Sequence, residues 1–148
     1  MRPKYESETD RANERIVEDA LRNLGIEAHK LPVSYRLDWL LTKDGVARGF
    51  AELKARRCNM KDYPSVMISL SKVMAADQLT QTTGLPCYLI LLYRDALARV
   101  EFHEDFTVGM GGRTDRGDPA DVEVCAFFPI ERLSVISQTS TDVSVKEK

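Results

Sequence analysis

At 148 residues, 43% hydrophobic and 30% charged, the chain is long enough to bury a real core and has the make-up of an ordinary soluble domain. No apolar run reaches the length of a membrane span and the amino terminus lacks the apolar core of a signal peptide, so a cytoplasmic protein with no membrane partner is expected. A net charge of −2 makes no global case for polyanion binding, and three scattered cysteines with two isolated histidines leave little room for zinc, redox or Ser-His-Asp chemistry.

The first expected element is a helix capped by Ser7 or Thr9 and ended by Gly25. Its apolar stripe holds Val17, Leu21 and Leu24, with Glu14 at the edge of the same face and Glu18 one turn later. Ile26 to Leu31 reads as a short edge strand stopped by Pro32. Leu37 to Thr42 and Val46 to Ala55 read as a hairpin around Asp44-Gly45, a pair suited to positive φ. Residues 56 to 66 form a polar loop, and Ile68 to Thr83 a second helix whose stripe (Ile68, Lys72, Ala75, Ala76, Leu79, Thr83) contains a lysine. Cys87 to Tyr93 is a continuous apolar run, the pattern of a strand buried on both faces, and Leu97 to Phe102 follows as its hairpin partner. The Gly- and Asp-rich residues 107 to 121 lack the features of a phosphate-binding loop and read as a flexible surface loop. Val122 to Phe128 is the last strand, and residues 138 to 148 are too polar to pack and are expected to be disordered. One domain spanning 1–148, with its core at about 8–133, accounts for all of this.

Three charges stand out in the apolar hairpin. Side chains alternate along a strand, so Glu52 and Lys54 share a face. A simple turn at Asp44-Gly45 sets Asp38 opposite Ala51, and a longer loop or a bulge would bring Asp38 and Glu52 level. Sheltered charges are costly unless paired or metal-bound. Two carboxylates suit Mg²⁺ or Mn²⁺, and a lysine beside them suits phosphodiester hydrolysis. Lys54, Arg56, Arg57 and Lys61 form a basic cluster directly behind; on charge alone a solvated strand end explains it better than a nucleic-acid contact does.

Asp38, thirteen intervening residues and then Glu52-Leu53-Lys54 resemble the D-Xn-(D/E)-X-K signature of the PD-(D/E)XK nuclease superfamily. The preceding helix, with Glu14-Arg15-Ile16-Val17 and Gly25, looks like that of archaeal Holliday-junction resolvases, and the segment from Ile68 to Tyr93 is similar to the helix-strand unit of resolvase-like and phage-type members. The name-giving proline is replaced by Leu37. The resemblance implies a mixed α/β (α+β) fold with a restriction-endonuclease-like αβββαβ core and extra C-terminal strands. It implies catalytic roles for Glu14, Asp38, Glu52, Lys54 and Lys72. Mg²⁺, or Mn²⁺ in its place, would be held by Asp38, Glu52, Glu14 and the backbone carbonyl of Leu53. DNA, whether duplex, branched or single-stranded, would lie along Arg36, Arg56, Arg57 and Lys61, with a homodimer compatible with the pattern. The expected activity is Mg²⁺-dependent DNA endonuclease; a non-catalytic DNA-binding or assembly module on the same fold, and a small scaffold whose acids merely pair with Lys54 and Lys72, are the competing readings.

Overall fold

The structure is a computed structural model that describes residues 8–112 and 122–138. Helix α1 (Glu8–Asn23) leads into β1 (Glu27–Lys30), β2 (Trp39–Lys43) and β3 (Val46–Ala55); β4 (Ser65–Ser69) and α2 (Leu70–Thr83) then precede β5 (Cys87–Leu92), β6 (Ala96–Glu101), β7 (Thr107–Gly112), β8 (Val122–Pro129) and β9 (Ser134–Gln138). Six strands form one sheet in the order β1-β2-β3-β5-β6-β9, and β4-β8-β7 form a second. This is a mixed α/β fold. Every pairing is antiparallel except β3 with β5, which the β4-α2 crossover connects.

Both faces of the large sheet are covered. On one, Val17 and Leu21 of α1 pack over Trp39, Leu41, Ala51, Ile90 and Leu92. On the other, Val73 and Ala76 of α2 join Val66, Ile68, Ala126 and Phe128 of the small sheet over Phe50, Leu89, Leu91 and Tyr93. That is why the run through β5 carries no charged side chain. Cys87 and Cys125 are buried free thiols, and burial pushes both up from the ordinary thiol range.

Local chemistry sets the boundaries. Gly25 (φ 79°) ends α1, with the Ile26 amide donating to the Leu21 carbonyl and the Gly25 amide to that of Arg22, both at 2.9 Å, a Schellman closure. That turn carries Leu24 off the apolar stripe into solvent. Thr9 lies inside the helix, and Ser7 outside the described residues. Asp44 (φ 54°) and Gly45 (φ 77°) both adopt the left-handed region that a type I′ hairpin turn demands.

Three expectations change. Residues 65–69 are a strand, because Val66 and Ile68 alternate inward against β8, and helix α2 starts only at Leu70, where Ser69 caps it by accepting from the Ser71 amide at 3.3 Å. Residues 107–112 are not loop but strand β7 along β8; residues 113–121 lie outside the described set, as do 139–148. Residues 134–138 add β9 to the edge of β6.

Gly49 is needed where β3 meets the start of β5. A Cβ there would lie 2.7 Å from the Pro86 carbonyl oxygen, which accepts the Phe50 amide at 3.0 Å. Gly49→Ala is expected to lower stability by about 1–3 kcal/mol in urea denaturation, since backbone must move. Burial raises the Tyr93 phenol from its ordinary 10.0 to about 12. A proton held more tightly in the folded state stabilises it fully below the unfolded value. That contribution is lost as pH rises from about 10 towards about 12. Tyr93→Phe should therefore show a shallower fall in melting temperature over that alkaline range than the wild type.

Candidate active site

The bulge between β2 and β3 assembles the acids. From Lys43↔Val46 and Thr42↔Ala47 the register shifts to Leu41↔Gly49 and Trp39↔Ala51, leaving Arg48 as the extra residue. Asp38 and Glu52 now flank the same Trp39–Ala51 pair on the same side. Of the two registers the sequence permits, the bulged one is present.

Asp38 is fixed by backbone on both sides. Its amide donates to the Ala51 carbonyl at 3.0 Å, and its carbonyl accepts from the Leu31 amide at 2.8 Å. Its Oδ2 accepts the Leu53 amide at 2.8 Å, so the carboxylate is held between the positions of Glu52 and Lys54.

Glu52 is the most sheltered charge of the site, 4% exposed. Lys54 Nζ and Lys72 Nζ each lie 3.6 Å from its Oε2. Lys72 also donates to the carbonyl of Arg36, a residue at φ 69° in the turn before Asp38. The lysine in the apolar stripe of α2 thus points into the site, and its ammonium ties the crossover helix to the β1-β2 connection. Lys54, with its side chain 37% exposed, reaches solvent.

Glu14 arrives from the opposite side. Its Oε2 is 2.6 Å from Lys30 Nζ, and the same ammonium is 3.8 Å from Asp38 Oδ1. Lys30, at the end of β1, is a site residue that the sequence reading missed; it lies on an edge strand with no motif around it, and only the β1-β2 pairing brings it to Asp38. Glu14 and Asp38 are therefore joined through a lysine. Among the described residues no three His, Cys, Asp or Glu side chains form a metal-binding group. The oxygens nearest one another in sequence and register are the carboxylates of Asp38 and Glu52 with the Leu53 carbonyl. An all-oxygen donor set of this kind is chemically suited to a hard divalent cation, which keeps several waters.

The basic cluster divides. Arg56 is half-buried and committed to structure, donating to the Ala55 carbonyl at 3.3 Å and the Met67 carbonyl at 3.0 Å. This guanidinium clamps β3 to β4, a role invisible in the sequence because residues 65–69 carry no local strand signal. Arg36, Arg57 and Lys61 are exposed.

An acid at a strand start, a Glu-Leu-Lys in the antiparallel partner, and a helix delivering a further acid define a PD-(D/E)XK nuclease-type protein. The chain belongs to the family described as "Phage putative PDDEXK endonuclease", whose model matches residues 1–136. Its fold is similar to that of Archaeoglobus fulgidus Hjc, a Holliday junction resolvase from an archaeal hyperthermophile, with a TM-score of 0.59 and 15% identity over 94% of this chain and 97% of that one. No curated protein matches the chain.

Removing one ammonium from Glu52 tests the electrostatics. Lys72→Met leaves a sheltered carboxylate with one partner fewer and the Arg36 carbonyl without its donor, so a loss of about 1–3 kcal/mol in urea denaturation is expected. A variant as stable as wild type would show that Lys54 and solvent suffice for Glu52.

Proposed function

We propose that this protein is a Mg²⁺-dependent endonuclease that hydrolyses DNA phosphodiester bonds. The observation that carries the reading is the placement of Asp38 and Glu52 beside one strand pair, with Lys54 and Lys72 on Glu52. Membership of a family described as endonucleases supports it.

In this reading Asp38 and Glu52, with the Leu53 carbonyl, would hold the metal, and Glu14 would act at the margin through Lys30 or water. The ion would supply Lewis acidity to the phosphoryl group and to the attacking water. The Leu53 amide keeps Asp38 turned towards β3 before substrate arrives, so its orientation costs nothing at the moment of reaction. Lys54 would activate the attacking water, or its ammonium would offset the charge that builds on the phosphorane oxygens as the new P–O bond forms and the leaving deoxyribose oxygen departs. Lys72 holds Glu52 in place. Arg36, Arg57 and Lys61 offer exposed cations for the DNA backbone.

The experiment is a cleavage panel with Mg²⁺ or Mn²⁺ on supercoiled, single-stranded and four-way-junction DNA. Wild-type protein is expected to cut at least one, EDTA to abolish cutting, and Glu52→Ala and Lys54→Ala each to lose about 10²-fold or more in rate. Mg²⁺ should also raise the melting temperature of wild type but not of Glu52→Ala, because a ligand selective for the folded state stabilises it. Binding to DNA without cutting any substrate would mean a non-catalytic module on the same fold. No thermal response to metal and no binding of DNA would mean that the acids and lysines are structural ion pairs only.

A further inference from the structure

Behind Lys54 the chain builds something that the catalytic constellation does not use. The residue pairs Glu52↔Leu89 and Lys54↔Leu91 continue to Arg56 beside Tyr93, with the Arg56 amide donating to the Leu92 carbonyl at 2.9 Å. Leu89, Leu91 and Tyr93 share one core, so Glu52, Lys54 and Arg56 face the same side of the sheet. Two residues of extended chain, roughly 6.6 Å, separate Lys54 from Arg56. At that position a cleft of about 310 Å³ opens, and Arg56, Met60, Tyr63, Pro64, Met67 and Phe127 line it.

The loop over this cleft is held by hydrogen bonds. Asn59 and Asp62 cap each other reciprocally; the Asn59 amide donates to Asp62 Oδ2 at 2.9 Å. The Met60 amide donates to Asp95 Oδ1 at 3.0 Å, and the Arg94 amide to the Cys58 carbonyl at 3.1 Å. The loop is thus anchored to the β5-β6 turn. Yet it leaves Tyr63 63% exposed at the mouth of the cleft, with Lys61 and Arg57 exposed close by in the chain. An aromatic ring on a preorganised loop, an apolar cleft beneath it and exposed cations on the same loop match what single-stranded nucleic acid needs: a flat surface for a base and positive charge for its backbone. The cleft is at the small end of ligand sites, room for one planar group and not for a helix or a strand of peptide.

We infer that the Tyr63 cleft receives an unpaired nucleobase of the DNA strand that passes Lys54, so the protein prefers DNA with an unpaired nucleotide next to the site over continuous duplex. The inference rests on the nuclease reading for the identity of the polymer. A base in a duplex must first unstack and unpair to enter; a base in a flap, gap or bulge has already done so. Arg57 and Lys61 supply the sequence-independent attraction, and Tyr63 supplies the discrimination.

The test is binding by fluorescence anisotropy, with Ca²⁺ replacing Mg²⁺, to three DNAs of one sequence: a continuous duplex, the duplex with one unpaired 2-aminopurine, and the single strand. Wild type should bind the two DNAs with unpaired bases more tightly than the duplex and quench the 2-aminopurine. Tyr63→Ala should weaken those two by about fivefold to 150-fold, the range for removing one base-stacking aromatic, with duplex affinity unchanged. Tyr63→Phe should retain both the preference and the quenching, and both variants should melt with the wild type because the side chain is exposed. If wild type binds duplex as tightly as the other two, or Tyr63→Ala keeps the preference, the cleft does not hold a base and the nuclease reading stands. If wild type binds none of the three, the nuclease reading itself falls and the cleft assignment with it.

Discussion

A carboxylate 4% exposed at the centre of a mixed sheet is the constraint from which the rest of this structure can be understood. Glu52 sits on β3, the strand that joins the antiparallel half of the sheet to its parallel neighbour β5. Such a charge is tolerable only if opposite charge is delivered to it. Lys54 arrives along the same strand, but Lys72 must come from a separate element. The β4-α2 crossover does this: the topology that makes β3 and β5 parallel also lays the first turn of α2 over Glu52. The helix that closes one face of the core thereby completes the charge balance of the site.

The second half of the site joins the neighbouring strand β2 to helix α1. Asp38 belongs to the β2 end, and the Leu53 amide ties it to β3; Lys30 ties it to Glu14 on α1. The two halves meet where the bulge at Arg48 re-registers the hairpin. Without that extra residue Asp38 would face Ala51 and the acids would be offset. The alternation of lysines and carboxylates leaves each acid near a cation, so no bare charge is sheltered.

Similarity to known proteins enters at two levels. The family match runs through almost the whole described chain and places it among phage endonuclease-like sequences. The likeness to an archaeal resolvase, at 15% identity, speaks to the fold: the same framework tolerates almost complete replacement of its side chains. Around that framework this chain adds a hydrogen-bonded loop after β3 and the small sheet β4-β8-β7.

Local rules were enough to read much of this protein from its residues. Asp44-Gly45 announces a hairpin because few other pairs accept two positive φ values in succession, and Gly25 ends α1 for the same reason. Glu52 and Lys54 share a face because strands alternate, and the apolar run of β5 reads as a doubly covered strand. The sheet register, the role of Lys30 and the commitment of Arg56 were not legible. The offset between Asp38 and Glu52 turns on one bulged residue, which both candidate registers accommodate equally in sequence. Lys30 has no local signature, and its partners lie sixteen residues away on α1 and across a strand pair. Arg56 looks like an exposed cation until β4 is seen to be a strand whose Met67 carbonyl accepts it. Turns, caps and alternation depend on neighbours a few residues apart, so the sequence by itself determined them. Which charges meet depends on pairings between distant segments, and that only the tertiary structure decided.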